Sequence, residues 1–401
     1  MLYRNHLVEA LQDRREEFVS FERAWLGDVR DYVRRLQALG GRSAEEVHLV
    51  VGATKAPGAL PSAELDERGA VRVTFEECWR SHEDARRWAI DVLRDRTTFA
   101  ADGSQILPGR EISLPVAAVQ VASFENPHVL DGNYRKEVRF LVVPPTELLE
   151  ADGVRGAETV VSLRRFEMEV EATSLFLQRK KGWRARGERM PVAFFDGTLL
   201  ISYARPRTPM QDKYISRIIE LVKLSRDMAV PIVGFIDQSY ARDLINLLDA
   251  IDKRERQSAL YDAQLLHAAV DGQPSVLAAW GERTIFCYCV REGLGSDFLE
   301  ANGKPLVGFT YLQTTGDGPP ARLDVPAWID EQELLDEVTD VVRAECVVGN
   351  GYPYALETAD AAAVITARDR MQFLRAMQEF AENENIAFCV SRKAASKNHR
   401  R

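Results

Sequence analysis

Two short stretches of the 401-residue chain each carry an apolar run into an Asp-Gly pair: "TTFAADGSQIL" (97–107), with Asp102, and "PVAFFDGTLLISYA" (191–204), with Asp196. A lone Asp-Gly between β-like runs predicts a tight turn. Two copies predict more, because carboxylates at the C-terminal ends of strands in an α/β sheet face one crevice. The glycine after each lets the backbone turn and leaves room for a ligand. Further acids can join them. In "VVSLRRFEMEVEATSLFLQ" (160–178), helical phasing puts Leu163, Phe166, Val170, Ser174 and Leu177 in the stripe that packs on the sheet. Glu167 lies at that stripe's edge, Glu171 one turn further round, and Glu169 points away. Asp360 stands in "TADAAAV", where small alanines let a helix approach the sheet closely. Carboxylates that converge in this way repel one another, and divalent metal resolves the repulsion. Oxygen-only ligands suit Mg²⁺ or Mn²⁺, and two such ions about 4 Å apart clamp the attacking and leaving oxygens of a phosphodiester. Simpler roles stand beside these: Glu167 in a salt bridge to Arg164 or Arg165, and Asp360 in a helix's first turn, favoured by the macrodipole.

The elements that must position these acids follow from periodicity. Residues 1–40 have apolar positions at helical spacing and end at Gly40-Gly41, which predicts one long helix or two with a short break. Residues 41–85 read as an excursion rather than core, and "SHEDARRWAIDVLRDR" (81–96) as a helix opened by Ser81. A strand runs into Asp102, and "LPVAAVQVASF" (114–124) and "KEVRFLVV" (136–143) alternate as antiparallel partners. A helix over about 160–178, the strand into Asp196, a helix over about 209–228 and the strand "VPIVGFID" (230–237) follow. A β-rich stretch with "TIFCYCV" and "LVGFTYLQTT" then precedes long helices. This order predicts an α/β fold, a mixed β-sheet flanked by helices.

Composition bounds the possibilities. With 46% hydrophobic and 28% charged residues the chain reads as globular, and no apolar run approaches the roughly 18 residues of a membrane span. The N-terminus does not read as a signal or transit peptide, which predicts a cytoplasmic protein. Five cysteines form no CxxC pair and read as reduced packing residues, Cys287 and Cys289 sharing one face of a strand. The net charge of −9 argues against indiscriminate coating of nucleic acid but not against a local basic groove. "QRKKGWRARGER" (178–189) offers one, since Lys180, Lys181 and Arg184 around an exposed Trp183 ring suit phosphates and unstacked bases; a solvated loop is the plainer reading. Arg205 and Arg207 in "YARPRTP" are further candidates for phosphate contact.

"FFDGTLL" is similar to the Asp-x-Asp-Gly-Thr motif of haloacid-dehalogenase-type phosphatases, but the nucleophilic first Asp is Phe194 here and Ala100 in the other copy, which argues against that chemistry. The whole constellation resembles the NurA nucleases, DNA-end-processing enzymes with a ribonuclease H-like core. The matching stretches are "FAADGSQILPG", "RRFEMEVEA", "PVAFFDGTLL", "PIVGFIDQSYARDL", "PARLDVPAW" and "GYPYALETADAAAVI", in the family's order. The resemblance implies that Asp102, Glu167 and Asp196 are metal ligands, with Glu171 the alternative to Glu167. It implies that Tyr352 is an active-site tyrosine and that Asp360 stands where some relatives carry His. It further implies two Mn²⁺ or Mg²⁺ ions, single-strand endonuclease and 5′-to-3′ exonuclease activity, a homodimer enclosing a DNA channel, and a HerA-type hexameric ATPase as partner in end resection. The corresponding organisation is a helical N-terminal extension with a variable excursion over 1–90, a nuclease domain over 91–390 with a β-rich insertion at about 250–330, and a basic tail over 391–401. A rival reading is a catalytically weak DNA-binding clamp subunit of a translocase.

Overall fold

A computed structural model of the chain describes residues 3–109, 112–130, 132–149, 153–201, 208–255 and 258–389. The chain divides into two units: one of Ser81–Ile201, Pro206–Val233 and Leu335–Arg401, the other of Met1–Arg80, Ser202–Arg205 and Gly234–Leu334.

The first unit opens with α1 (His82–Leu93), where the Ser81 hydroxyl accepts the Asp84 N–H at 3.2 Å. Three strands follow as an antiparallel meander: β1 (Thr98–Ile106), β2 (Ala117–Asn126) and β3 (Arg135–Val143). The long helix α2 (Gly153–Lys180) returns the chain to β4 (Val192–Asp196), which runs parallel to β1 on its other side. Helix α3 (Pro209–Met228) starts with a capping box of Thr208 and Gln211 and a proline in its first turn. It leads to β5 (Ile232–Ile236), beside β4, where the Ala193 N–H donates to Pro231 O at 2.9 Å. The strand order β3-β2-β1-β4-β5, an antiparallel meander extended by β4 parallel to β1 and then by β5, fits the ribonuclease H-like mixed sheet expected. Helices α4 (Leu335–Val348), α5 (Tyr354–Ala363) and α6 (Ala367–Asn383) complete the unit. Strand β1 is apolar because both its faces are covered, α2 packing on one and α5 reaching it on the other. The Phe99 and Phe176 rings stack at 4.6 Å under α2.

In the other unit, strands Gly58–Pro61, Cys287–Val290, Val307–Leu312 and Ala321–Pro326 pair antiparallel in that order, and the last pairs with Gly234–Ile236 of β5. Cys287 and Cys289 do share the buried face of their strand, and all five cysteines are free. The excursion expected over 41–85 instead contributes core: Val47, Ala59 and Leu65 are fully buried, and Ala59 pairs with Cys289. Its polarity misled because its charges work internally, Glu64 accepting from the buried Arg283 at 2.9 Å. The N-terminal helices are two, Arg4–Asp13 and Arg15–Leu39, broken at Arg14. Among the described residues no helix is long and apolar enough to cross a membrane.

Candidate active site

Asp196 is the last residue of β4, after four buried residues, Val192 to Phe195. Gly197 then turns the chain away at φ +112°, a conformation that L side chains rarely adopt. The Tyr352 hydroxyl, in the loop between α4 and α5, donates to Asp196 Oδ1 at 3.0 Å.

Asp102 does not end its strand. β1 continues to Ile106, and Asp102 pairs with Ala122 of β2. Gly103 therefore makes no turn, and its bareness has a different cause. Strand alternation sends Gly103 and Gln105 to the face under α2, where Gln105 Nε2 reaches Ser162 Oγ at 3.5 Å. A Cβ on Gly103 would stand 2.6 Å from both Arg165 Cγ and Glu169 Oε1. Asp102 and Ser104 face the opposite side, toward α5, where Ser104 Oγ accepts the Ile365 N–H at 3.3 Å.

Asp360 lies in the last turn of α5, its carbonyl accepting the Val364 N–H at 3.0 Å. The macrodipole disfavours an anion there, so the first-turn explanation for this residue does not apply. Its carboxyl lies beside that of Asp102. Burial, helped by the charges of Asp196 and Asp360, pushes the Asp102 carboxyl up to about 6. Asp196 remains open to solvent, yet crowding by protein raises its carboxyl too, with Asp360 adding to the effect and the Tyr352 hydroxyl opposing it. The start of α5 is pinned from beneath: Glu345 Oε2 accepts the Ala355 N–H at 2.8 Å, and His128 stands 3.6 Å from Glu345 Oε1.

The acid of α2 near this group is Glu169, not Glu167 or Glu171. Glu167 pairs with Arg164 at 3.0 Å and Glu171 with Arg139 at 3.4 Å, both away from Asp102. Glu169 faces Gly103, and burial with the charges of Asp102 and Asp196 pushes it up to about 8. The expected phase caught only part of the packing, because α2 is covered on more than one side. The stripe from Leu163 to Leu177 exists, with the Phe166 ring meeting Phe195 of β4 at 6.2 Å as well as Tyr214 of α3 at 4.7 Å. The stripe on β1 is instead Ser162, Arg165, Glu169 and Phe176. The signal that could have found Glu169 was Gly103 itself, a bare position inside a strand.

Asp102, Asp196 and Asp360 thus meet from three elements, with Glu169 across β1 and Tyr352 on Asp196. Their oxygen donors and mutual repulsion suit a hard divalent cation. As placed, no three His, Cys, Asp or Glu side chains among the described residues form a ready-made cage. The fit is one of donor chemistry and proximity, with side-chain rotation needed to close on an ion.

The basic cluster of 178–189 differs from expectation. Trp183 is buried at 8% exposure and its Nε1 donates to Ala229 O at 2.8 Å, so its ring is no platform for bases. Lys180 is held by Glu125 at 3.2 Å and Thr97 at 3.1 Å, at the end of β1 away from Asp102. Arg184 lies over the Trp183 ring at 5.0 Å, and Lys181 is exposed. Arg205 and Arg207 lie outside the described residues.

The sequence profile of the NurA domain matches residues 96–365 of the chain. No curated protein sequence matches it. Among solved structures it is similar to endonuclease V of Bacillus subtilis, with 11% identity over 75% of this chain and 94% of that one and a TM-score of 0.31. It is likewise similar to the catalytic domain of human endonuclease V, with 12% identity over 74% of this chain and 96% of that one and a TM-score of 0.31. Superpositions this loose have no bearing on chemistry.

Proposed function

Because the chain belongs to the NurA family of DNA nucleases, we propose that Asp102, Asp196 and Asp360 form the centre of a Mn²⁺- or Mg²⁺-dependent deoxyribonuclease acting on single strands as endonuclease and 5′-to-3′ exonuclease. The observation that carries this reading is the convergence of three Asp carboxyls from β1, β4 and α5, in which Asp196 and Asp360 raise the cost of ionising Asp102 and Asp360 raises that of ionising Asp196. Such crowding is useless to a passive clamp and serves a site that receives cations. Asp102, Asp196 and Asp360 would hold the ions, with Glu169 the acid of α2 nearest to them. When bound, the ions would supply Lewis acidity to the scissile phosphate. Tyr352 orients Asp196 through its hydroxyl, and Glu345 fixes the first turn of α5 and so the reach of Asp360.

The family resemblance extends the reading to a homodimer that works with a HerA-type hexameric ATPase in end resection. The test of the chemistry is Asp102→Asn and Asp196→Asn, assayed on 5′-labelled single-stranded DNA with Mn²⁺. Each folded variant is expected to lose at least about 10²-fold in rate. Cleavage at the wild-type rate by either would overturn the assignment.

A further inference from the structure

Resting on the nuclease reading of this site, we propose that Arg165 is its phosphate-receiving residue, a guanidinium whose stem is clamped on Gly103 and whose head sits where β4 stops beside Asp196. The need for it is electrostatic. Each nucleotide of a DNA strand brings a negative charge to a site already holding Asp102, Asp196, Asp360 and Glu169. Among the described residues, Arg165 is a cation whose field reaches both Glu169 and Asp196.

Its seat is rigid. A Cβ on Gly103 would stand 2.6 Å from Arg165 Cγ and 3.0 Å from Cδ, so the methylene stem lies directly on bare backbone. Nη1 donates to Gly103 O at 3.3 Å, two residues past the last β1–β4 pair, Ala101 with Phe195. Nε lies 3.5 Å from Glu169 Oε1 without completing a hydrogen bond. Nη2 has no hydrogen-bond partner among the described residues, and the side chain is 40% exposed. The fork is therefore anchored on one arm with donors left over, the arrangement that suits two oxygens of a phosphate. The neighbouring Arg164 shows the contrast: it donates to Glu147 at 2.8 and 3.0 Å and to Glu167 at 3.0 Å, and serves structure.

The experiment compares Arg165→Gln and Arg165→Lys with the full-length wild type, after thermal melts have established folding. It measures binding of a labelled single-stranded oligonucleotide in EDTA across a salt series, Mn²⁺ binding without DNA by electron paramagnetic resonance, and cleavage rate. R165Q is expected to weaken DNA binding in EDTA at least about threefold and to flatten the log-affinity against log-salt slope by about 0.7, the share of one phosphate contact on a single strand. Without DNA it should bind Mn²⁺ about tenfold more tightly, because a neighbouring positive charge is gone. Cleavage should fall about 10²-fold. R165K should recover the EDTA affinity and slope but not the rate, since an ammonium has no fork. An R165Q protein with unchanged salt slope and DNA affinity overturns the proposal, as does Mn²⁺ affinity that falls together with melting temperature, the behaviour of a mere structural staple. If D102N cleaves normally, the nuclease reading fails; if D102N is inactive while R165Q keeps the wild-type slope, only the Arg165 assignment fails.

Discussion

Replacing Glu169 with Gln should make the metal-free protein more stable, and by an amount that depends on pH in a defined way. Burial moves this carboxyl from an ordinary 4.5 to about 8, against the opposing pull of Arg165. The unfolded chain releases the proton near 4.5 and the folded chain only near 8, so folding is fully favoured by this group below pH 4.5 and loses that favour as pH rises to 8. Each pH step in that window costs about 1.4 kcal/mol, or about 3 kcal/mol in all at pH 7. Gln has nearly the same shape, is neutral in both states and removes the cost. In EDTA, E169Q should therefore unfold about 3 kcal/mol less readily than wild type at pH 7, a rise of roughly 5 °C in melting temperature, and nearly equally at pH 4.5. Denaturant titrations of both proteins at the two pH values measure this directly. E169Q no more stable than wild type at pH 7, or a gain that fails to shrink toward pH 4.5, would refute the reasoning.

Gly103→Ala should cost about 1–3 kcal/mol and at least about tenfold in cleavage, because its Cβ would sit 2.6 Å from Arg165 Cγ and Glu169 Oε1 and push α2 off β1. An unchanged melt would mean that α2 does not ride so closely on the strand. Trp183→Ala should cost about 3 kcal/mol in stability by emptying a buried site. At temperatures where it stays folded, its affinity for single-stranded DNA in EDTA should match wild type. A several-fold loss of affinity with unchanged stability would instead restore the ring to a stacking role.

Much of the sheet was legible because local pattern and tertiary burial agree there. The runs into Asp102 and Asp196, the alternating strands of the meander and the helix with Thr208 and Pro209 at its start all carry their signals within a few residues. What failed was structure whose evidence lies on another segment. Trp183 looked like an exposed ring among cations until Ala229 O took its N–H. Residues 41–85 looked like an excursion until Glu64 found Arg283 and Ala59 found Cys289.

The sequence by itself determined that two strand-borne aspartates, a late tyrosine and the Asp of "GYPYALETAD" belong to one chemical theme, because residue type and order identify those motifs without reference to space. Only the tertiary structure decided which acid of α2 joins them and why Asp102 is followed by glycine. A helix covered on one side has one readable stripe. α2 is covered by β1 and by α3, so Glu167 and Glu169 each stand near an apolar face, and nothing local tells the faces apart. The choice fell to the contact with Gly103, where the absent side chain makes room for Arg165 and Glu169 rather than for a turn.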